Sequence, residues 1–211
     1  MTHRYPVLLD LSGQRCLVVG GGPVAERKVR GLLVVAADVT VLAPTATEGL
    51  VRAASAGRVR WLRQAFDADV ISATPARWRF VVATTDDPGV NHQVVVAATH
   101  AGIWVNDASA PDGGPAALPA VHRDGPLTLT VSTGGVHPGA AGWLRDLAAG
   151  SIGPEHLAAL DLVDEVRAAS PEAGRPDWRA AVDSGMLDLI REGRVAEAKE
   201  RLQACLSSSS D

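Results

Sequence analysis

Cysteine, lysine and aromatic residues are all scarce in this chain of 211 residues. Its two cysteines, Cys16 and Cys205, stand near opposite ends, form no CxxC and have no metal-ligand spacing. A disulfide framework is therefore excluded, and a cytoplasmic location is expected. Lysine is confined to Lys28 and Lys199, so the bases are nearly all Arg. They form no cluster, and the formal charge is −4, which argues against nucleic acid as a partner. No run approaches the ~20 apolar residues of a membrane span. The opening MTHRYPVLLDLSG has no long apolar stretch of the kind a secretory signal carries, so no membrane association is expected. Apolar residues are plentiful: 46% of the chain is hydrophobic against 21% charged. That is too apolar for a disordered chain and, at this length, enough for a sizeable core in one or two domains. The tail LSSSSD reads as a frayed end.

The first half alternates short apolar runs with helix-like stretches. Strands are expected at 15–19, 38–43, 59–62, 80–84 and 103–106, and helices at 23–35, 48–56 and 91–100. Runs without period-2 alternation indicate strands buried on both faces. Strands that alternate with helices indicate a parallel sheet covered on both sides. From Asp112 to Pro115 the sequence DGGP signals a boundary. The segment 127–132 alternates like a half-exposed strand, Gly134-Gly135 breaks it, and 138–149 reads as a helix. Only helical patterns follow residue 151, with a break near 174–178.

Gly20-Gly21-Gly22-Pro23-Val24-Ala25 fits G-x-G-x-x-A between a strand and a helix, the context a dinucleotide-binding loop requires. Gly20 permits the tight turn, Gly22 lets the backbone approach a pyrophosphate, and Ala25 permits close helix–strand packing. The helix N-terminus offers N–H groups and a positive dipole end to phosphates. Pro23, lacking a donor, suits the first helical turn. The alternative is a glycine turn that binds nothing. The acid expected after the second strand, to hold the ribose hydroxyls, is missing from Val41-Leu42-Ala43-Pro44, and no Arg follows closely. The ribose rule thus assigns neither NAD nor NADP. Thr84 and Thr85, at the carboxyl end of a strand, are placed to touch the nicotinamide ribose or phosphates, while Asp86 or Asp87 caps the next helix.

These residues resemble a known family. Leu17–Lys28 (LVVGGGPVAERK), Val39–Pro44 (VTVLAP) and Val82–Asn91 (VATTDDPGVN) look like the precorrin-2 dehydrogenase/sirohydrochlorin ferrochelatase module, which also forms the front part of siroheme synthases. The likeness continues through Val105-Asn106, Pro119, Val131–Gly135 (VSTGG), Pro138 and Asp183–Gly193 (DSGMLDLIREG), in order along nearly the whole chain. It implies an α/β, Rossmann-like NAD-binding domain at 1–112, a dimerisation segment at 113–150 and a small helical domain at 151–211. It implies a homodimer that oxidises precorrin-2 to sirohydrochlorin with NAD+, with Fe2+ insertion to give siroheme as a further step. Iron is then a substrate in transit, and no resident metal is expected. Gly20, Gly21, Gly22, Pro23, Val24, Ala43, Pro44, Thr84 and Thr85 are the expected cofactor residues. Asn106, Ser132, Thr133, Gly134 and Gly135 are the expected substrate residues; the last four alternatively form only a glycine turn.

The family usually carries Asn-Val-x-Asp followed shortly by Pro, and that Asp is its catalytic acid. Here the stretch reads Asn106-Asp107-Ala108-Ser109-Ala110-Pro111, which puts Ser109 at the family's Asp position. Both hydride removal and metal insertion release protons, so a nearby base is needed. A lone Ser hydroxyl accepts protons poorly. Asp107 lies two residues away and, in an extended segment, on the same side about 6–7 Å along the strand. Asp107 and Ser109 are the catalytic candidates; Asp107 either supplies the base or merely caps a turn.

Overall fold

The apolar runs pair into one parallel sheet. In the computed structural model, which describes residues 4–72, 78–110, 112–135, 137–169 and 177–207, five strands lie in the order β3-β2-β1-β4-β5. They are β1 (Arg15–Val19), β2 (Asp38–Leu42), β3 (Arg60–Leu62), β4 (Phe80–Ala83) and β5 (Trp104–Asp107). All pair in parallel, with Val19 level with Leu42 on one side and Ala83 on the other. Alternation divides their side chains between two cores. Cys16, Val18, Val39, Val41, Phe80 and Val82 pack against α1 (Pro23–Val34) and α2 (Glu48–Ser55). Leu17, Val19, Leu42, Val81, Ala83 and Val105 pack against α3 (Asp69–Ser72) and α4 (Pro88–His100). The expected Rossmann-like parallel sheet with helices on both faces is what forms. Burial pushes the Cys16 thiol up to about 11, with the Asp38 carboxylate adding to the effect, so Cys16 is a protonated packing group.

The helix expected at 91–100 begins earlier, at Pro88. Asp87 accepts from the N–H groups of Gly89 and Val90, and Pro88 takes the first helical turn, where its missing donor costs nothing. A strand beyond those expected, β6 (Ala120–Asp124), pairs antiparallel with β7 (Leu127–Val131) across Gly125-Pro126. Residues up to Pro119, together with Ser132–Pro138, form one compact unit; Ala120–Val131 and the residues from Gly139 onward form a second.

Within the second unit, α5 (Pro138–Gly150) precedes α6 (Pro154–Ala169), α7 (Trp178–Asp183), α8 (Met186–Arg191) and α9 (Val195–Ser207). Leu162 and Val166 of α6 meet Met186 and Leu189 of α8 and Leu202 of α9 in a separate core. Leu202 is 0% exposed. Leu202→Ala is therefore expected to cost about 2–5 kcal/mol, read as a lower denaturant midpoint; a midpoint unchanged would contradict this packing. On α5, Trp143 and Leu147 are 64% and 61% exposed. The break near 174–178 and the frayed tail fall mostly outside the described residues, as do Pro111 and residues 170–176.

Candidate cofactor site

The ends of β1, β2 and β4 and the start of α1 converge on the glycine loop. Gly20 N–H donates to the Leu42 carbonyl (2.9 Å), Thr47 N–H to the Gly21 carbonyl (2.9 Å) and Thr84 N–H to the Val19 carbonyl (2.8 Å). Packing explains the first two glycines. Gly20 has φ +124°, and a Cβ there would stand 2.5 Å from Thr84 Oγ1. A Cβ on Gly21 would run into the Thr45 carbonyl. Gly22 is different: its φ of −81° suits any residue, and a Cβ there would meet nothing within 4 Å. Gly22 is also the N-cap of α1, a position where Ser, Asp or Asn would normally bond the first-turn N–H groups, and it supplies no side chain to do so. Ala25 is fully buried, which lets α1 lie close on the sheet.

A cleft of about 730 Å3 opens over this loop. All nine expected cofactor residues line it: Gly20, Gly21, Gly22, Pro23, Val24, Ala43, Pro44, Thr84 and Thr85. Thr45, Thr47, Phe66, Asp86 and Asp87 line it too, and the motif reading did not include them. A nicotinamide dinucleotide fits this arrangement. The open space above Gly22 adjoins the N-terminal end of a 12-residue helix whose first turn has no side-chain cap, and such ends bind phosphate through N–H groups and dipole. Thr84 Oγ1 donates to the Val19 carbonyl (2.8 Å), and Thr85 Oγ1 donates to Asn91 Oδ1 (2.7 Å) or the Asp87 carbonyl (3.0 Å). With their protons committed, both hydroxyls have only acceptor lone pairs left to offer.

From Thr85 a hydrogen-bonded run leads to the end of β5. Asn91 of α4, 0% exposed, accepts at Oδ1 from the Thr85 N–H (3.0 Å) and hydroxyl (2.7 Å). Its Nδ2 donates to the Thr85 carbonyl (3.0 Å) and to Ser109 Oγ (3.1 Å). Ser109 donates its hydroxyl (2.6 Å) and its N–H (2.8 Å) to Asp107 Oδ1. The separation of 6–7 Å expected for an extended segment does not occur. β5 ends at Asp107 and the chain bends at Ala108-Ser109, which folds the serine back onto the carboxylate. The turn-capping contact and the Asp–Ser pairing are thus the same contact. Asp107 Oδ2 accepts no hydrogen bond among the described residues. Gly113 leaves it room, since a Cβ there would stand 2.7 Å from Oδ2.

The remaining expected site residues lie elsewhere in the fold. By alternation Asn106 faces the opposite side of the sheet from Asp107. Its Nδ2 donates to the Ala116 carbonyl (3.0 Å), and its buried Oδ1 has no donor among the described residues. An unpaired buried carbonyl oxygen costs roughly 1–3 kcal/mol, and a water or ligand N–H is what would satisfy it. Ser132, Thr133, Gly134 and Gly135 form a tight turn after β7. Ser132 Oγ accepts from Gly134 N–H (3.3 Å), Thr133 Oγ1 donates to the His137 carbonyl (3.1 Å), and both glycines have positive φ. None of these five residues is among those lining the cleft. Asn91 was legible as an anomaly, because it occupies the same helical stripe as buried Val94 and Ala98.

Fold and loop together define a dinucleotide-binding protein of the Rossmann-like class, and residues 7–120 match the family model described as "Putative NAD(P)-binding". The siroheme synthase of Methylococcus capsulatus is 36% identical over 203 residues, covering 93% of this chain, and that of Xylella fastidiosa is 34% identical over 211 residues, covering 97%. The chain spans 42% and 44% of the lengths of these two relatives. The solved structure of SirC, precorrin-2 dehydrogenase, matches with a TM-score of 0.69 and 26% identity over 95% of this chain and 98% of that one. The chain belongs to this NAD(P)-binding family, with siroheme synthases and a precorrin-2 dehydrogenase as its relatives.

Proposed function

We propose that this protein oxidises precorrin-2 to sirohydrochlorin with NAD+. The observation that carries the reading is the hydrogen-bonded run from Thr85, on the wall of the cofactor cleft, to the carboxylate of Asp107. The nicotinamide, when bound, accepts the hydride. Gly20, Gly21, Gly22, Pro23 and Val24 hold its pyrophosphate, with Ala43, Pro44, Thr84 and Thr85 along the rest of the dinucleotide. Asp107 receives the proton leaving the macrocycle at Oδ2, while Oδ1 stays fixed by the two Ser109 donors. The hydroxyls and N–H groups of the Ser132–Gly135 turn bind substrate carboxylates, and Asn106 Oδ1 accepts from a ring N–H.

Thr47 lines the cleft, and its hydroxyl donates to the Glu26 carboxylate (2.6 Å), which also pairs with Arg30 (3.8 Å). The reading of the cofactor as NAD rests on the family resemblance. Fe2+ enters as a substrate, inserted into sirohydrochlorin by the same residues. A second reading retains tetrapyrrole or nucleotide binding, or metal insertion alone, and drops the oxidation. The observation favouring it is that Ser109 stands where the resembled family carries its acid. Mixing the chain with precorrin-2 and NAD+ distinguishes the two, because only the first reading predicts the sirohydrochlorin spectrum.

The proposed division is a nicotinamide domain at 1–112, a dimerisation segment at 113–150 and a helical domain at 151–211, in a cytoplasmic homodimer. No helix among the described residues is long and apolar enough to cross a membrane. The exposed Trp143 and Leu147 of α5 support pairing of this segment with its copy across a two-fold axis. Light scattering should then give about 44 kDa, twice the 21.9 kDa of one chain. A monomer at micromolar concentration would refute the dimer.

A further inference from the structure

We propose that Asn91 is a positioning residue that couples the cofactor wall to the proton acceptor by fixing the direction of the Ser109–Asp107 hydrogen bond. The proposal rests on the oxidation reading above and gives a role in that reaction to a residue that closes the family-like stretch Val82–Asn91 but was assigned none. Asn91 is wholly buried on an otherwise apolar stripe of α4, and all four of its side-chain hydrogen-bonding positions are used. Its orientation is determined by its neighbours. Exchanging amide oxygen and nitrogen would set oxygen against the Thr85 carbonyl and N–H against the Thr85 N–H. Nδ2 must therefore point at Ser109, so Ser109 Oγ accepts from Asn91 and has only Asp107 Oδ1 to receive its own proton. Fastening α4 to the sheet would need only the three bonds to Thr85. The fourth reaches the end of a neighbouring strand and commits the Ser109 hydroxyl proton to the same Asp107 oxygen that the Ser109 N–H already holds.

Asn91→Asp tests this in the full chain, because it turns the donor facing Ser109 into an acceptor. The new oxygen also faces the Thr85 carbonyl, so the buried residue 91 carboxyl keeps its proton on that bond; its free lone pair draws the Ser109 proton, and Asp107 loses a donor. The titration midpoint of the Asp107 carboxyl, followed by 13C NMR without cofactor, should rise by about one pH unit or more. The pH profile of kcat should move with it. The other ionisable groups on adjoining segments are Asp86, Asp87, His92, His100 and Asp112, all exposed, and the half-buried Arg4, which donates to the Gly114 carbonyl (2.8 Å) and pairs with Asp112 (3.6 Å); none of them is changed by the substitution. A residue that only fastened the helix would lower Tm and leave the midpoint where it was; that result in a folded variant overturns the proposal. If Asn91→Asp fails to fold, Ser109→Ala tests the coupling from its exposed end. Removing that contact should loosen Thr85 and raise the NAD+ dissociation constant by about threefold or more, the order of one hydrogen bond. An unchanged constant overturns the coupling. Absence of precorrin-2 oxidation in the parent chain would refute the functional reading instead, and both of these readouts would still stand.

Discussion

Asp107→Asn is expected to slow precorrin-2 oxidation by about 10²–10⁴-fold, the range general-base groups contribute, while NAD+ affinity stays near that of the parent. The substitution is nearly isosteric. An Asn at this position still accepts from the Ser109 N–H and hydroxyl through Oδ1, so the turn after β5 and the contact with Asn91 persist. What changes is the second oxygen, which makes no hydrogen bond among the described residues and becomes an amide that cannot take a proton. Ser109→Ala should cost the reaction much less, because the carboxylate remains. Ser109→Asp restores the resembled family's pattern and should recover part of the loss in the Asp107→Asn background. The reverse order, with Ser109→Ala inactive and Asp107→Asn fully active, would show that the base is assigned to the wrong residue.

Gly22→Asp should separate folding from cofactor binding. The backbone at Gly22 is already extended, a Cβ there has open space, and the position is the N-cap of α1. Asp is among the best N-cap residues, and a carboxylate is favourable at the positive end of a helix dipole. The variant should keep its Tm or gain slightly. Its new carboxylate, however, takes the first-turn N–H groups and repels a pyrophosphate. Losing two hydrogen bonds to a charged group, each worth roughly 1.5–3 kcal/mol, weakens NAD+ binding by about 10²–10⁴-fold. By contrast, Gly21→Ala would disrupt the loop itself, since its Cβ has no room beside Thr45. A folded Gly22→Asp protein with parental NAD+ affinity would mean that the dinucleotide does not lie over this loop.

The sheet was legible because its inner strands β1, β2 and β4 are short, mostly apolar and buried, so no alternation hides them: Leu17, Val18 and Val19 of β1 face two cores in turn. The glycine loop was legible for a related reason. Gly20 and Gly21 answer to steric contacts within the chain, and only Gly22 leaves space for something outside it. β6 escaped notice because Ala120–Asp124 is half polar and pairs only with β7. The Gly125-Pro126 pair, a turn signal, was its one local cue. The Asp107–Ser109 contact was not legible from spacing, because two residues in a strand and two residues across a bend differ by several ångströms. Asp112–Pro115 reads as a boundary, yet Gly113 and Gly114 are there for close approach to Asp107 and to the Val105 carbonyl. Such roles come from tertiary contacts that a glycine-rich string does not reveal.

The most direct measurement follows NADH and sirohydrochlorin together when the purified chain is mixed with precorrin-2 and NAD+ in the absence of oxygen, with Gly22→Asp as the control that folds but should not bind cofactor. NAD+-dependent oxidation predicts that the two products rise at the same rate in equal amounts, and that both are lost in Gly22→Asp. Sirohydrochlorin formed without NADH, or no product from the unaltered protein, would contradict it.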